Sequence, residues 1–190
     1  MKELEERIIK DGKIINGDVL KVDSFLNHQM DPKLFKAMAK EWKRLYEGEG
    51  INKILTIEAS GIGIACIAGL EFDCPVVFAK KSKTSNTPEH SYSSTVKSFT
   101  RGTVNDIFVS NKYLDPEDKV LILDDFMATG EAAKGLADIV HQSGAKLVGI
   151  GIAIEKAFQP GGDELRSMGI RVESLARIKE MSQEDGIIFC

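Results

Sequence analysis

Three cysteines in 190 residues, Cys66, Cys74 and Cys190, are too few and too scattered for a disulfide framework or a thiolate zinc site. Cys66 and Cys74 sit among apolar neighbours and are expected to be small core residues. No apolar run approaches the roughly 20 residues that span a bilayer, so no membrane association is expected. Positive charge is not in excess either. The 25 Lys and Arg against 29 Asp and Glu leave a net charge of -4, without the basic balance or stripe of a duplex-binding protein, and nucleic acid is excluded as the main partner. Met1–Lys10 is charged and helical in pattern, which does not suit a signal peptide. A cytoplasmic location follows from these absences.

What is present reads as one α/β domain over residues 1–190, with no internal repeat and a length sufficient for a sizeable core. Met1–Lys10 is expected to be a short amphipathic helix ended by Asp11-Gly12, and Ile14–Val22 to hold short strands around Asn16-Gly17-Asp18. Asp31-Pro32 opens a helix, with a carboxylate N-cap and then proline at the first helical position. Phe35, Met38, Ala39, Trp42, Leu45 and Tyr46 follow at helical spacing as a core-facing stripe that Gly48 closes. Strands are then expected at Lys53–Ile57, Pro75–Ala79, Lys119–Leu123, Lys146–Ile154 and Arg171–Ala176. Helices are expected between them at Gly61–Phe72, about Gly130 to Ser143, and Gly162–Met168. Apolar β-branched runs alternating with helices imply a mainly parallel sheet covered on both faces, with ligands at the carboxyl ends of its strands.

Lys80 to about Thr100 breaks the rhythm. It is polar and too long for an idle connector, and residues from about 82 to 100 read as a flexible lid loop over a site. Thr95–Phe99 and Asp106–Ser110 pair as an antiparallel hairpin beside it.

The chemistry concentrates in Val120–Ala132. Four apolar residues make a buried strand, Asp124 and Asp125 stand at its carboxyl end, and the small-residue turn Ala128-Thr129-Gly130 opens a helix at Glu131-Ala132. Free amides and the dipole at that helix start favour a phosphate, and the adjacent carboxylates suit the vicinal hydroxyls of a sugar. Phosphate on one side and hydroxyls on the other describe a ribose 5-phosphate. Adjacent aspartates alone would be no more than a helix cap and a solvated neighbour; it is the ordered combination that is specific. No Gly-Lys-Ser or Gly-Lys-Thr follows, and the segment fails the dinucleotide pattern, which disfavours an ATPase or a dehydrogenase.

Val120–Ala132 resembles the phosphoribosyl pyrophosphate signature of the type I phosphoribosyltransferases. Across its whole length the chain is similar to the bacterial xanthine-specific members, through Gly17–Asp23 with Phe25–Gln29, Thr56–Ile62 and Glu155–Phe158. The resemblance implies a type I fold with a small N-terminal hood over the active site, to which residues 1–30 contribute. It implies that Ala128, Thr129, Gly130, Glu131 and Ala132 hold the 5-phosphate and that Asp124 and Asp125 hold the ribose hydroxyls. A pyrophosphate turn over Glu58, Ala59, Ser60 and Gly61 is implied as well, sometimes with a non-proline cis bond, and Lys81 rather than Lys80 neutralises the leaving group. Leu20, Asn27, Lys156 and Phe158 would surround the purine, with Phe158 either stacking on the ring or lying in the core. Lysine donates to the oxo groups of xanthine, and asparagine can donate and accept at the ring edge.

The implied reaction joins xanthine to phosphoribosyl pyrophosphate, giving xanthosine 5′-monophosphate and pyrophosphate in purine salvage. Mg2+ is implied as cofactor, bound through the substrate rather than by direct protein ligands, and a homodimer as the assembly. Guanine or hypoxanthine is the competing base. A transcription regulator that senses the sugar substrate is the reading from another class; only about 50 residues precede the first core strand, and the acidic balance opposes DNA.

Overall fold

The alternation resolves into a three-layer arrangement in a computed structural model that describes residues 1–15, 19–81, 90–97 and 104–190. Asn16-Gly17-Asp18, most of the expected lid (82–89 and 98–100) and residues 101–103 lie outside the described residues. The elements in order are α1 (Lys2–Asp11), β1 (Lys13–Ile15), β2 (Val19–Lys21), a π-helical turn (Asp23–Asn27), α2 (Pro32–Leu45), β3 (Lys53–Ile57), α3 (Ser60–Phe72), β4 (Val76–Ala79), β5 (Ser91–Lys97), β6 (Val104–Ser110), a 3-10 turn (Asn111–Tyr113), β7 (Lys119–Met127), α4 (Glu131–Ser143), β8 (Lys146–Lys156), α5 (Gly161–Ser167), β9 (Val172–Ser182) and β10 (Gly186–Phe189).

Among the described residues the strands form a six-stranded sheet in the order β10-β9-β8-β7-β3-β4 and two hairpins, β1-β2 and β5-β6. From β9 to β4 the pairing is parallel, and β10 adds antiparallel to β9. The chain steps from β3 to β4 on one side and from β7 to β8 on the other. The crevice beyond the carboxyl ends of β3 and β7 is therefore the topological switch point, where ligands on such sheets bind.

Alternation along the strands divides the core. Ile54, Leu121 and Leu123 pack with Leu4, Ile8, Phe35, Met38 and Trp42 under α1, α2 and α3. Leu55, Ile122 and Ile152 pack with Leu136, Ile139 and Leu165 under α4 and α5. Asp31 caps α2 as expected, its carboxylate accepting from the Lys33 and Leu34 amides at 3.1 and 3.2 Å. The helix ends at Leu45, three residues before Gly48, and the Tyr46 hydroxyl then donates to Ile150 O at 3.0 Å.

Several boundaries differ from expectation for identifiable reasons. β7 continues past Leu123 to Met127 because its ladder with β8 continues through Phe126↔Ile154 and Met127↔Glu155. Asp124 and Asp125 therefore lie inside the strand. β9 extends to Ser182 because β10 folds back on it, a strand the sequence pattern did not announce. The expected hairpin is longer than Thr95–Phe99: β5 begins at Ser91 and docks on α4, where Gln142 Nε2 donates to Ser93 O at 2.8 Å. Cys66 is exposed on the outer face of α3 and so is not a core residue, whereas Cys74 is half-buried and packs against the edge of the core.

Candidate active site

Two turns flank the crevice. The first follows β3, where the Glu58–Ala59 peptide bond is cis, as the resemblance implied. Glu58 Oε1 accepts from the Lys81 amide at 2.6 Å, and the Glu58 amide donates to Ala79 O at 3.1 Å, so this turn is tied to the end of β4. Ser60 then starts α3. The second turn follows β7. Gly130 has φ +77, a conformation that favours glycine. A β carbon on Gly130 would lie 3.0 Å from Gly161 Cα. Glycine is thus required here by the backbone and by the start of α5, in addition to any need to admit a phosphate. Among the described residues no protein hydrogen bond takes the amides of Thr129 or Gly130. Lys134 fixes the turn from behind, its Nζ donating to Thr129 O and Glu131 Oε1 at 3.2 Å each and to Glu164 Oε2 at 2.5 Å.

Between the turns lies a cavity of about 460 Å3. Glu58, Ser60, Lys81, Asp124, Asp125 and the run Ala128–Ala132 all line it. Asp124 and Asp125 are nearly buried, and the Asp125 amide donates to Asp124 Oδ1 at 2.9 Å. Burial first, and then the neighbouring Asp125, push the Asp124 carboxyl well above the usual carboxylate range, against the pull of Lys81. Lys81 and Lys80 part company: Lys81 faces this cavity, whereas Lys80 lines a separate groove with Phe78 and Lys112.

Of the other sequence-selected residues, Ala59 and Gly61 belong to the first turn, with Gly61 buried beneath it. Leu20, Asn27, Lys156 and Phe158 do not line the cavity. Leu20 is a core residue, paired across the β1-β2 hairpin with Ile14. Asn27 is exposed at the end of the π-helical turn. Phe158 is 46% exposed, which rules out the core alternative, and lies beside Lys179, Met181 and Ile188. It sits on a turn pinned to β9 by the Ala157 amide donating to Ile178 O at 2.8 Å.

Sequence reasoning missed the far wall and the rear of the site. Val96, Asn105 and Ile107 of the β5-β6 arm and Phe126 of β7 line the cavity. Behind it, Glu155 is buried and accepts both guanidinium nitrogens of Arg166 at 2.8 and 2.7 Å and Arg177 Nε at 3.2 Å. A carboxylate ending a long apolar run was the available signal, but its partners stand 11 and 22 residues away.

Residues 22–166 match the family model described as the phosphoribosyl transferase domain. The chain is 55% identical to a xanthine phosphoribosyltransferase 2 of Clostridium botulinum over 100% of both chains. It is 58% identical to a xanthine phosphoribosyltransferase of Ruminiclostridium cellulolyticum over 95% of each. The fold is similar to that of an adenine phosphoribosyltransferase of Giardia lamblia solved with 9-deazaadenine. There the TM-score is 0.78 and the identity 21%, covering 92% of this chain and 97% of the other. An adenine phosphoribosyltransferase of Rhodothermus marinus gives a TM-score of 0.75 at 18% identity, over 93% and 99%. With a family model spanning most of its length and relatives more than half identical from end to end, this chain belongs to the phosphoribosyltransferase family.

Proposed function

We propose that this chain is a xanthine phosphoribosyltransferase, transferring the 5-phosphoribosyl group of phosphoribosyl pyrophosphate to xanthine and releasing pyrophosphate. The observation that carries the reading is the acid pair of β7 standing between two small-residue turns on one cavity, in a chain whose whole-length relatives bear that name. Free amides at Thr129 and Gly130 suit the 5-phosphate, Asp124 and Asp125 suit the ribose hydroxyls, and the Glu58–Gly61 turn with Lys81 suits the pyrophosphate.

Four carboxylates, Glu58, Asp124, Asp125 and Glu131, line the cavity against Lys81. Even with the Asp124 carboxyl holding its proton, the other three outnumber Lys81, so a bare polyphosphate would meet net repulsion from these side chains and the lining fits a substrate that carries its own divalent cation. Mg2+ prefers oxygen ligands, which the phosphate and hydroxyl groups of the substrate would supply without direct protein ligands. When bound, Mg2+ would neutralise the pyrophosphate. The protein's own part is positioning. The turns hold the two phosphate ends of the sugar, and the acid pair fixes the ribose while its bond to pyrophosphate lengthens and positive charge builds on the ring. The base nitrogen then forms the new bond to the anomeric carbon as pyrophosphate departs with the bonding pair, and the ring N–H proton is released to solvent or to the departing pyrophosphate.

Lys156 at the end of β8, Asn27 and Leu20 are our candidates for the purine side, with Phe158 as a stacking surface. Because none of them reaches the sugar cavity, this assignment rests on the resemblance. We place the enzyme in the cytoplasm as a homodimer. No helix among the described residues is long and apolar enough to cross a membrane, and exposed Leu70 on α3 and Phe78 on β4 offer apolar surface to a second copy. A sedimentation experiment giving only monomer would remove the dimer. The substrate test is an assay with phosphoribosyl pyrophosphate, Mg2+ and each purine in turn. Xanthine is expected to give the highest kcat/KM; a higher value for guanine or hypoxanthine would reassign the base, and none for any purine would contradict the enzyme.

A further inference from the structure

Thr56 lies in β3, two residues before Glu58, and is fully buried. Its Oγ1 has no hydrogen-bond partner among the described residues. A hydroxyl withdrawn from water and left unpaired destabilises a fold, and valine would fill the same shape without that burden. The oxygen is nevertheless aimed at a defined place. A β carbon on Gly61 would come within 2.1 Å of Thr56 Oγ1 and 3.2 Å of Asp124 Oδ1. The hydroxyl, Asp124 and the first turn of α3 therefore converge over Gly61, which is why that position has no side chain. Asp124, nearly buried, accepts the Asp125 amide and has the Asp125 carboxyl beside it, but no other residue among the described ones supports it by a hydrogen bond. A carboxylate holding sugar hydroxyls in such a place needs further support from the protein side.

We propose that Thr56 is a positioning residue: when the sugar substrate fills the cavity, its hydroxyl donates to the Asp124 carboxylate and fixes that carboxylate on the ribose. The inference rests on the transferase reading of the cavity. It explains an otherwise unused buried oxygen as stability given up for a function made only in the loaded site. The hydroxyl never touches the reacting atoms, so its influence passes through Asp124.

The test compares the full chain with Thr56→Val, which keeps the shape and removes the hydroxyl, and Thr56→Ser, which keeps the hydroxyl. Thermal midpoints are measured without ligand, and kcat and KM are measured for phosphoribosyl pyrophosphate and xanthine with Mg2+. Thr56→Val is expected to melt at or above the wild-type temperature while its kcat falls about tenfold or more, with the KM for xanthine unchanged. Thr56→Ser is expected to restore kcat to within about twofold. Full turnover by Thr56→Val, equal impairment of Thr56→Ser, or a lowered melting temperature for Thr56→Val would each overturn the proposal, the last by showing that the hydroxyl is already paired at rest. A wild-type chain that turns over some other purine would have its variants compared on that base. A wild-type chain inactive with every purine would remove the transferase reading itself, and this inference with it.

Discussion

The amide of Gly161 donates to the carbonyl of Ala128 at 3.1 Å, so the residue that opens α5 forms the floor of the turn assigned to the 5-phosphate. A β carbon on Gly161 would lie 2.4 Å from Gly130 N, 2.5 Å from Thr129 C and 2.6 Å from Ala128 O, all backbone atoms that cannot swing away. Gly161→Ala must therefore displace the turn. A displacement of this kind is worth roughly 10²-fold in rate when it misplaces a bound group. The KM for phosphoribosyl pyrophosphate is expected to rise and kcat to fall, with a smaller change in the KM for xanthine. Unchanged kinetics would mean that the turn does not hold the phosphate.

Replacing Asp124 and Asp125 together by Asn is expected to reduce turnover by about 10²–10³-fold while leaving the fold intact, since the pair acts by electrostatics and orientation. Near-normal turnover would contradict their role.

The raised carboxyl of Asp124 gives a second, independent readout. The native state holds that proton more tightly than the unfolded chain, so the group's contribution to stability is fully present at low pH and is lost as pH rises through its raised native value. Asp124→Asn, uncharged at any pH, is expected to melt above wild type at pH 7, with the gap closing as pH falls into the acid range. A variant that melts below wild type at pH 7 would show that the charged carboxylate is well supported in the empty site.

Lys81→Ala is expected to lower kcat/KM for phosphoribosyl pyrophosphate by about tenfold, the loss of one charge-assisted contact, whereas Lys80→Ala stays near wild type. The two lysines adjoin in sequence but face different cavities. Equal effects from both would mean that only their summed charge matters.

Glu155 ties β8 to α5 and β9. Burial alone would raise its carboxyl, but the Arg166 fork, with smaller help from the neighbouring Ser174 hydroxyl and Arg177, outweighs it and holds the group below the ordinary glutamate value of 4.5. Stability from this group is therefore present above that value and lost as pH falls through the lower native one. Arg166→Met is expected to cost about 2 kcal/mol at pH 7, the size of a lost hydrogen bond to a charged group and less than the roughly 3–5 kcal/mol of breaking a fully buried pair, because Arg177 remains and Arg166 is partly exposed. Part of wild-type acid sensitivity should disappear with it. Denaturant melts of both proteins at pH 7 and pH 4 check this; equal stability at pH 7 would show that the network carries no weight.

Legibility in the sequence followed range. The α2 cap at Asp31, the parallel strands and the turn at Ala128–Gly130 depend on neighbours within a few residues, and their patterns announce them. The extension of β7 through Asp124 and Asp125 depends on β8, and β10 depends on β9, so periodicity in one segment could not show either. Cys66 looked like core because α3 is apolar all round; which of its faces meets the sheet is decided by packing. The cavity between the two turns was legible because its halves are short turns after strands. The Glu155–Arg166–Arg177 cluster, the β5-β6 wall and the Gly161 floor join residues distant in sequence. The residues proposed for the purine, Leu20, Asn27, Lys156 and Phe158, were the least legible, since they come from separate elements that the cavity does not unite.

The most direct test is a crystal structure of this chain with ribose 5-phosphate. The account predicts the phosphate on the amides of Thr129 and Gly130, with the ring hydroxyls within hydrogen-bond reach of Asp124 and Asp125. A phosphate bound elsewhere, or hydroxyls turned away from both carboxylates, would contradict it.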